Sequence, residues 1–218
     1  MRILLVDHAC CDPPHTRVHA LRAGLESLAV EAAVCGPSSV PSLAVPQPGL
    51  HGIHLHDVAA ASRKLLAAVR DGSPEAFLSA TAAVPARLLG LVRETARQMI
   101  AEAVDAFDPE AIFVLHAGIL ADLAIETGAP VVVHVAAGDL AAAAERPSLR
   151  RLVGAAIGSS GMVVAADATT ALVLERHWLP ADAITDGRVE TWPVGDARVD
   201  RVLATCRRAA ARRRPAGD

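Results

Sequence analysis

Apolar residues along this chain fall into short blocks separated by stretches of helical periodicity. Ile3 to Val6 is a continuous apolar run ending at Asp7, the pattern of a strand buried on both faces of a parallel sheet. Beyond Pro13 and Pro14, Val18, Leu21, Leu25 and Leu28 recur at helical spacing, and Val30 to Val34 forms a second run, which completes a βαβ unit. Cys35 to Leu50, broken by Gly36, Pro37, Pro41, Pro46, Pro48 and Gly49, predicts a surface loop, and Gly52 to His56 a third strand. Asp57 can cap a helix over 58–70 closed by Gly72. Ser73-Pro74-Glu75 opens the next, which Pro85 breaks or restarts before it runs to Ala106. Ile112 to Leu115, Val131 to Val135, Met162 to Ala166 and Arg188 to Pro193 predict four further strands. Helices over 119–127, 168–176 and 197–214 alternate with them.

This alternation predicts an α/β fold: a doubly wound, mainly parallel sheet of six or seven strands flanked by helices, with no internal repeat. Residues 1–196 are expected to form a single Rossmann-like domain, and residues 197–218 a basic C-terminal helix and tail. Such sheets bind ligands at the carboxyl ends of their strands, where the strand order reverses.

Composition narrows the function classes. Of the 218 residues 52% are hydrophobic, yet no apolar stretch is long enough to span a membrane, and the start lacks the long apolar segment of a signal peptide. Cys10, Cys11, Cys35 and Cys206 make no disulfide framework, so a reducing, cytoplasmic setting is expected. The net charge of −3, a basic excess confined to 207–214 and an aromatic content of 2% argue against nucleic acid as a partner.

The candidate chemistry gathers where strands end. Asp7 and His8 follow the first strand, with His15 and Arg17 near the next helix start; together they could hold an anionic or hydroxylated ligand, or simply cap and solvate a turn. His116 and Gly118 follow the fourth strand, whereas the direction of His134, inside the fifth, depends on strand parity. Gly138 and Asp139 either close the same crevice or cap the next helix. Two further groups, Cys10, Cys11, His15 and His19, and His51, His54 and His56, lack the spacing of known zinc motifs, so no metal is expected. No cofactor is expected either, since no nucleophile elbow, phosphate-binding loop or dinucleotide fingerprint is present. The glycines between Gly154 and Gly161 precede a strand rather than follow one.

The segment FDPEAIFVLHAGILADLAIETGAPVVVHVAAGDL, from Phe107 to Leu140, resembles the amino-terminal half of retaining GT-B glycosyltransferases of family 4. The likeness extends to MRILLVDH at the start, to Met162–Asp167 and to TWPVGDARVD, so it spans nearly the whole chain through motifs that mostly bear the fold. It implies a Rossmann-like acceptor-side domain that binds a sugar or other hydroxylated acceptor at Asp7, His8, His15, Arg17, His116, Gly118, Gly138 and Asp139. A donor-binding partner protein or a second copy would then supply the other half. Three departures qualify the implied catalysis. The family's donor-binding half, with its paired acidic residues, would follow Asp196, and here an arginine-rich helix follows instead. The family's histidine-glycine pair aligns with Ala136 and Ala137, and an alanine side chain cannot hydrogen-bond a sugar. The glycines after the first strand are replaced by His8 to Pro14. A non-catalytic small-molecule-binding or regulatory module derived from such a half is the alternative, and a free-standing hydrolase or metal enzyme the third.

Overall fold

The computed structural model describes residues 1–8, 17–38, 49–55, 62–71, 74–144, 146–179, 186–192 and 199–213. Their order is β1 (Arg2–Val6), α1 (Arg17–Ser27), β2 (Glu31–Ser38), β3 (Leu50–His54), α2 (Arg63–Asp71), α3 (Pro74–Ala83), α4 (Ala86–Phe107), β4 (Ala111–Val114), α5 (Ala121–Glu126), β5 (Val131–Val135), α6 (Ala137–Ala144), α7 (Pro147–Ser159), β6 (Met162–Ala165), α8 (Ala168–His177), β7 (Val189–Thr191) and α9 (Val199–Arg213). The strands form one seven-stranded sheet in the order β3-β2-β1-β4-β5-β6-β7, and every described pairing is parallel. The chain winds outward from β1 to β3, then returns to the other side of β1 and continues to β7. The order therefore reverses between β1 and β4, where Val6 pairs with Val114. Open parallel sheets bind ligands at such a switch in strand order.

The apolar runs become strands because both faces of the sheet are covered. Leu4, Val6, Ile112, Val114, Val133 and Val135 point into one core with Val92, Ala96 and Ile100 of α4. Ile3, Leu5, Phe113, Val132 and Val164 point into the other with Val18, Leu21 and Leu25 of α1 and Val202 and Cys206 of α9. Burying each such side chain contributes about 1.5–3 kcal/mol, so alternate residues of one run serve opposite faces and none can turn polar cheaply. Helix α9 lies against α1, β4 and β5. Its approach to α1 is close: a Cβ on Gly24 would fall inside the van der Waals shell of Val199. Gly24→Ala should therefore destabilise the chain by about 1–2 kcal/mol, measured by urea unfolding, with Val199→Ala in the same chain restoring part of the loss.

Three expectations change. Leu28 is 48% exposed because α1 stops at Ser27 and Ala29 takes a left-handed φ of 57°, which turns the chain before a fourth apolar contact can form. Cys35 to Ser38 are strand rather than loop. Pro37 is tolerated there because β1 pairs only as far as Cys35, so the proline faces β3 without breaking a β1 ladder bond. Helix α6 is expected only as the helix that Gly138 and Asp139 could cap, its Ala-rich sequence giving no long apolar stripe, and α7 is not among the expected helices although Leu149, Val153, Ala156 and Ile157 recur at helical spacing. Pro147 nevertheless opens α7 in its first turn. Pro85 does act as the break, standing at the N-cap of α4. No described helix is long and apolar enough to cross a membrane.

Candidate functional site

The carboxyl ends of β1, β4 and β5 lie side by side in the sheet. Asp7 and His8 leave β1, and Asp7 stays in line because its amide donates to the Cys35 carbonyl at 3.0 Å. His116 and Gly118 follow β4, and Asp139 lies in the first turn of α6 after β5. Asp7, His8, His116 and Asp139 are all buried, at 2%, 1%, 8% and 4% exposure. An unpartnered carboxylate or imidazole is costly in such a place.

Asp139 is partnered through both oxygens. Its Oδ2 accepts the Ala136 amide at 3.0 Å and the Ala117 amide at 3.1 Å, and its Oδ1 lies 3.1 Å from His116 Nδ1. The bond to Ala136 is a side chain three residues into the helix reaching back to its start, one half of a capping box. The bonds to Ala117 and His116 belong to the neighbouring strand's loop, so one carboxylate joins the β4 and β5 ends. Burial opposes its ionisation. The His116 hydrogen bond and charge and the two amides outweigh that and hold the carboxyl below the usual carboxylate range. An ionised carboxylate can only accept, so His116 Nδ1 donates. His116 Nε2 then lies 4.0 Å from Asp7 Oδ1, an ion-pair distance rather than a hydrogen bond.

His8 is held differently. The Leu120 amide donates to His8 Nε2 at 3.1 Å, which puts the proton of the neutral ring on Nδ1. That buried Nδ1 finds no hydrogen-bond partner among the described residues. The ring lies tilted 6.0 Å from Phe77 of α3 and edge-on 6.3 Å from His116. Burial, with the His116 charge adding to it and Asp139 opposing, lowers its pKa to about 3. The sign follows: the unfolded chain takes up a proton on His8 below about pH 6.5 and the folded chain does not until about pH 3. Stability therefore falls as pH drops through that window. His8→Gln keeps an acceptor for Leu120 and removes the titration. Between pH 6.5 and 4.5 its unfolding free energy should decline less steeply than that of the unaltered chain, by about 1.4 kcal/mol per pH unit; parallel urea-unfolding slopes would count against this.

The remaining candidates are placed less centrally. Arg17 is exposed as the first residue of α1, and its charge helps keep His134 neutral, after the larger effect of burial. His134 points into the α1–α9 face, bonded to the Leu115 carbonyl at 3.0 Å and packed 5.9 Å from Trp192, as a core residue. Gly138 lies exposed on α6, where an added Cβ would meet nothing within 4 Å. His15, Cys10, Cys11, His56, Asp57 and Asp196 lie outside the described residues. Cys35 and Cys206 are buried free thiols, with burial pushing the Cys35 thiol up to about 12. Among the described residues no three His, Cys, Asp or Glu side chains stand together as a metal site. Phe77 and the amides of Ala117, Leu120 and Ala136 were not foreseen. A backbone donor has no side-chain signature, and α3 reaches His8 only through the tertiary fold.

No family model matches the chain, and no curated protein matches it in sequence. Solved structures do match in fold. A sucrose-phosphate synthase chain from Thermosynechococcus elongatus superposes with a TM-score of 0.56 at 11% identity, over 97% of this chain and 98% of that one. The apo structure of OtsA superposes with a TM-score of 0.54 at 11% identity, over 89% of this chain and 49% of that one, so this chain spans about half its length. The fold is similar to one Rossmann-like half of the GT-B architecture.

Proposed function

We propose that this chain is the acceptor-side half of a family-4-like GT-B glycosyltransferase, a cytoplasmic protein that takes part in glycosyl transfer with a donor-binding partner or a second copy. The observation that carries the reading is the joining of the β4 and β5 ends by Asp139, beside Asp7 and His8 of β1. This gives an ordered set of carboxylates and imidazoles at the switch in strand order. Hydroxyl groups of a sugar-like acceptor suit that set, because carboxylates accept and the His8 Nδ1 proton donates. His116, oriented by Asp139, and Asp7 would hold the reacting hydroxyl, and Gly118 would keep the His8 ring close to β4. His15, Arg17 and Gly138 would contribute at the rim, Arg17 toward an anionic substituent. Residues 1–196 form the domain on this reading, and the 197–218 segment is its basic helix and tail.

One feature favours the alternative, a binding or regulatory module without chemistry. Ala136 contributes only its amide, which Asp139 already occupies, where the resemblance calls for a histidine. One experiment separates the two. The full chain is mixed with a donor-type Rossmann domain from the same genome and with UDP- or ADP-sugars, over a panel of sugars and sugar phosphates. Transfer is expected only when both proteins are present, and is expected to fall at least tenfold with His116→Gln. Saturable sugar binding without transfer by any pairing would favour the binding module; neither binding nor transfer would overturn both.

A further inference from the structure

Beside this site, α6, α7 and α8 line a groove of about 420 Å³, within the roughly 300–1,000 Å³ of small-molecule sites. Its walls are Leu140 and Ala141 of α6 and Val173 of α8, and at one end stand Arg150, His177 and Trp178. We infer that this groove binds a small anionic amphiphile, an aliphatic chain ending in a carboxylate, at a site separate from the proposed acceptor crevice. The walls are mostly aliphatic, with Thr169 and Thr170 at the start of α8, and the one large ring at the site is already covered, since the Arg150 guanidinium lies 5.4 Å from the Trp178 ring centroid. That leaves space for a chain rather than for a stacked ring.

Charge decides which end of the chain goes where. No acidic side chain lines the groove among the described residues, and Arg150 makes no ion pair with any of them. At the other end of α8, Asp167 caps the helix by accepting the Thr170 amide at 2.7 Å, so a negative charge already sits there. An anionic head therefore belongs beside Arg150 and His177, with the chain running along Val173 toward the start of α8. Trp178 holds this end in place by packing on α7, with its Cε3 3.9 Å from where a Gly154 Cβ would be.

The test is calorimetric titration of the full chain with decanoate below its micellar range, alongside decanol and decyltrimethylammonium. Decanoate is expected to bind saturably and at least about tenfold more tightly than either, the value of one charge-assisted hydrogen bond. Arg150→Gln, at an exposed position, should reduce decanoate to the level of decanol. Ala141→Phe, also exposed, should fill the groove and abolish binding while the melting temperature stays unchanged. Equal affinities for the three probes, unaltered decanoate binding in either variant, or no saturable binding would each overturn the proposal. Since the readout is affinity alone, a failure of glycosyl transfer leaves it standing, and its own failure leaves the transferase reading untouched.

Discussion

Asp139→Ala should lower the melting temperature by roughly 10 °C, the largest effect expected of any single substitution in the site. The carboxylate takes three hydrogen bonds in a place that is 4% exposed, and alanine would leave the Ala117 and Ala136 amides and His116 Nδ1 without their acceptor. Breaking a buried, charged network of this kind costs about 3 kcal/mol, and each kcal/mol is worth roughly 2–4 °C in a chain of this size. Asp139→Asn refines the expectation. Its single carbonyl oxygen can keep both amides, but its NH2 group must then face His116 Nδ1, which can accept only by moving its own proton to Nε2. The asparagine variant should therefore keep more than half of the lost stability while inverting the His116 tautomer, which nitrogen chemical shifts report directly. The pH dependence has a defined sign as well. Because the folded-state carboxyl is held below its ordinary value, the stability it contributes is present above the usual carboxylate range and is lost as pH falls through the folded value. Asp139→Ala should flatten that acid limb.

Gly118→Ala is the second large effect, at about 2 kcal/mol or more. Its φ is ordinary; the requirement is space. An added Cβ would stand 2.5 Å from His8 Nε2 and closer still to a methyl of Leu78. The leucine tip can rotate away. The His8 ring cannot, being tied to the Leu120 amide and packed between Phe77 and His116. Leu78→Ala should therefore rescue Gly118→Ala only partly, whereas His8→Ala in the same background should remove most of the remaining penalty. A thermal unfolding series across the four variants measures both. Full rescue by Leu78→Ala alone would mean that His8 yields, and that the ring is not fixed as described.

These two residues also show what the sequence made legible. Apolar runs bounded by Asp7, His116 and Ala136 marked the ends of β1, β4 and β5, and in a parallel sheet those ends lie on one side. The meeting of Asp7, His116 and Asp139 followed from that rule without any contact being known. The roles of individual atoms did not follow. Whether Asp139 would cap α6 or turn toward β4 depends on a loop geometry that spacing does not encode, and it does both. Arg17, a candidate of equal standing from its position in the chain, is solvated at the start of α1, since nothing in a helix's first residue says which way it faces. The two helices of the β5–β6 crossover differ: Ala141 to Ala144 of α6 bury little side chain, so their periodicity is faint, whereas Leu149, Val153, Ala156 and Ile157 of α7 recur at helical spacing and were legible.

Amide hydrogen exchange at Ala117 and Ala136 tests most directly whether one carboxylate joins the β4 and β5 ends into a single site. Both amides should be strongly protected in the unaltered chain, and both should lose protection together in Asp139→Ala while the Leu120 amide, held by His8, keeps its own. Rapid exchange at either amide in the unaltered chain, or protection that survives the loss of Asp139, would contradict it.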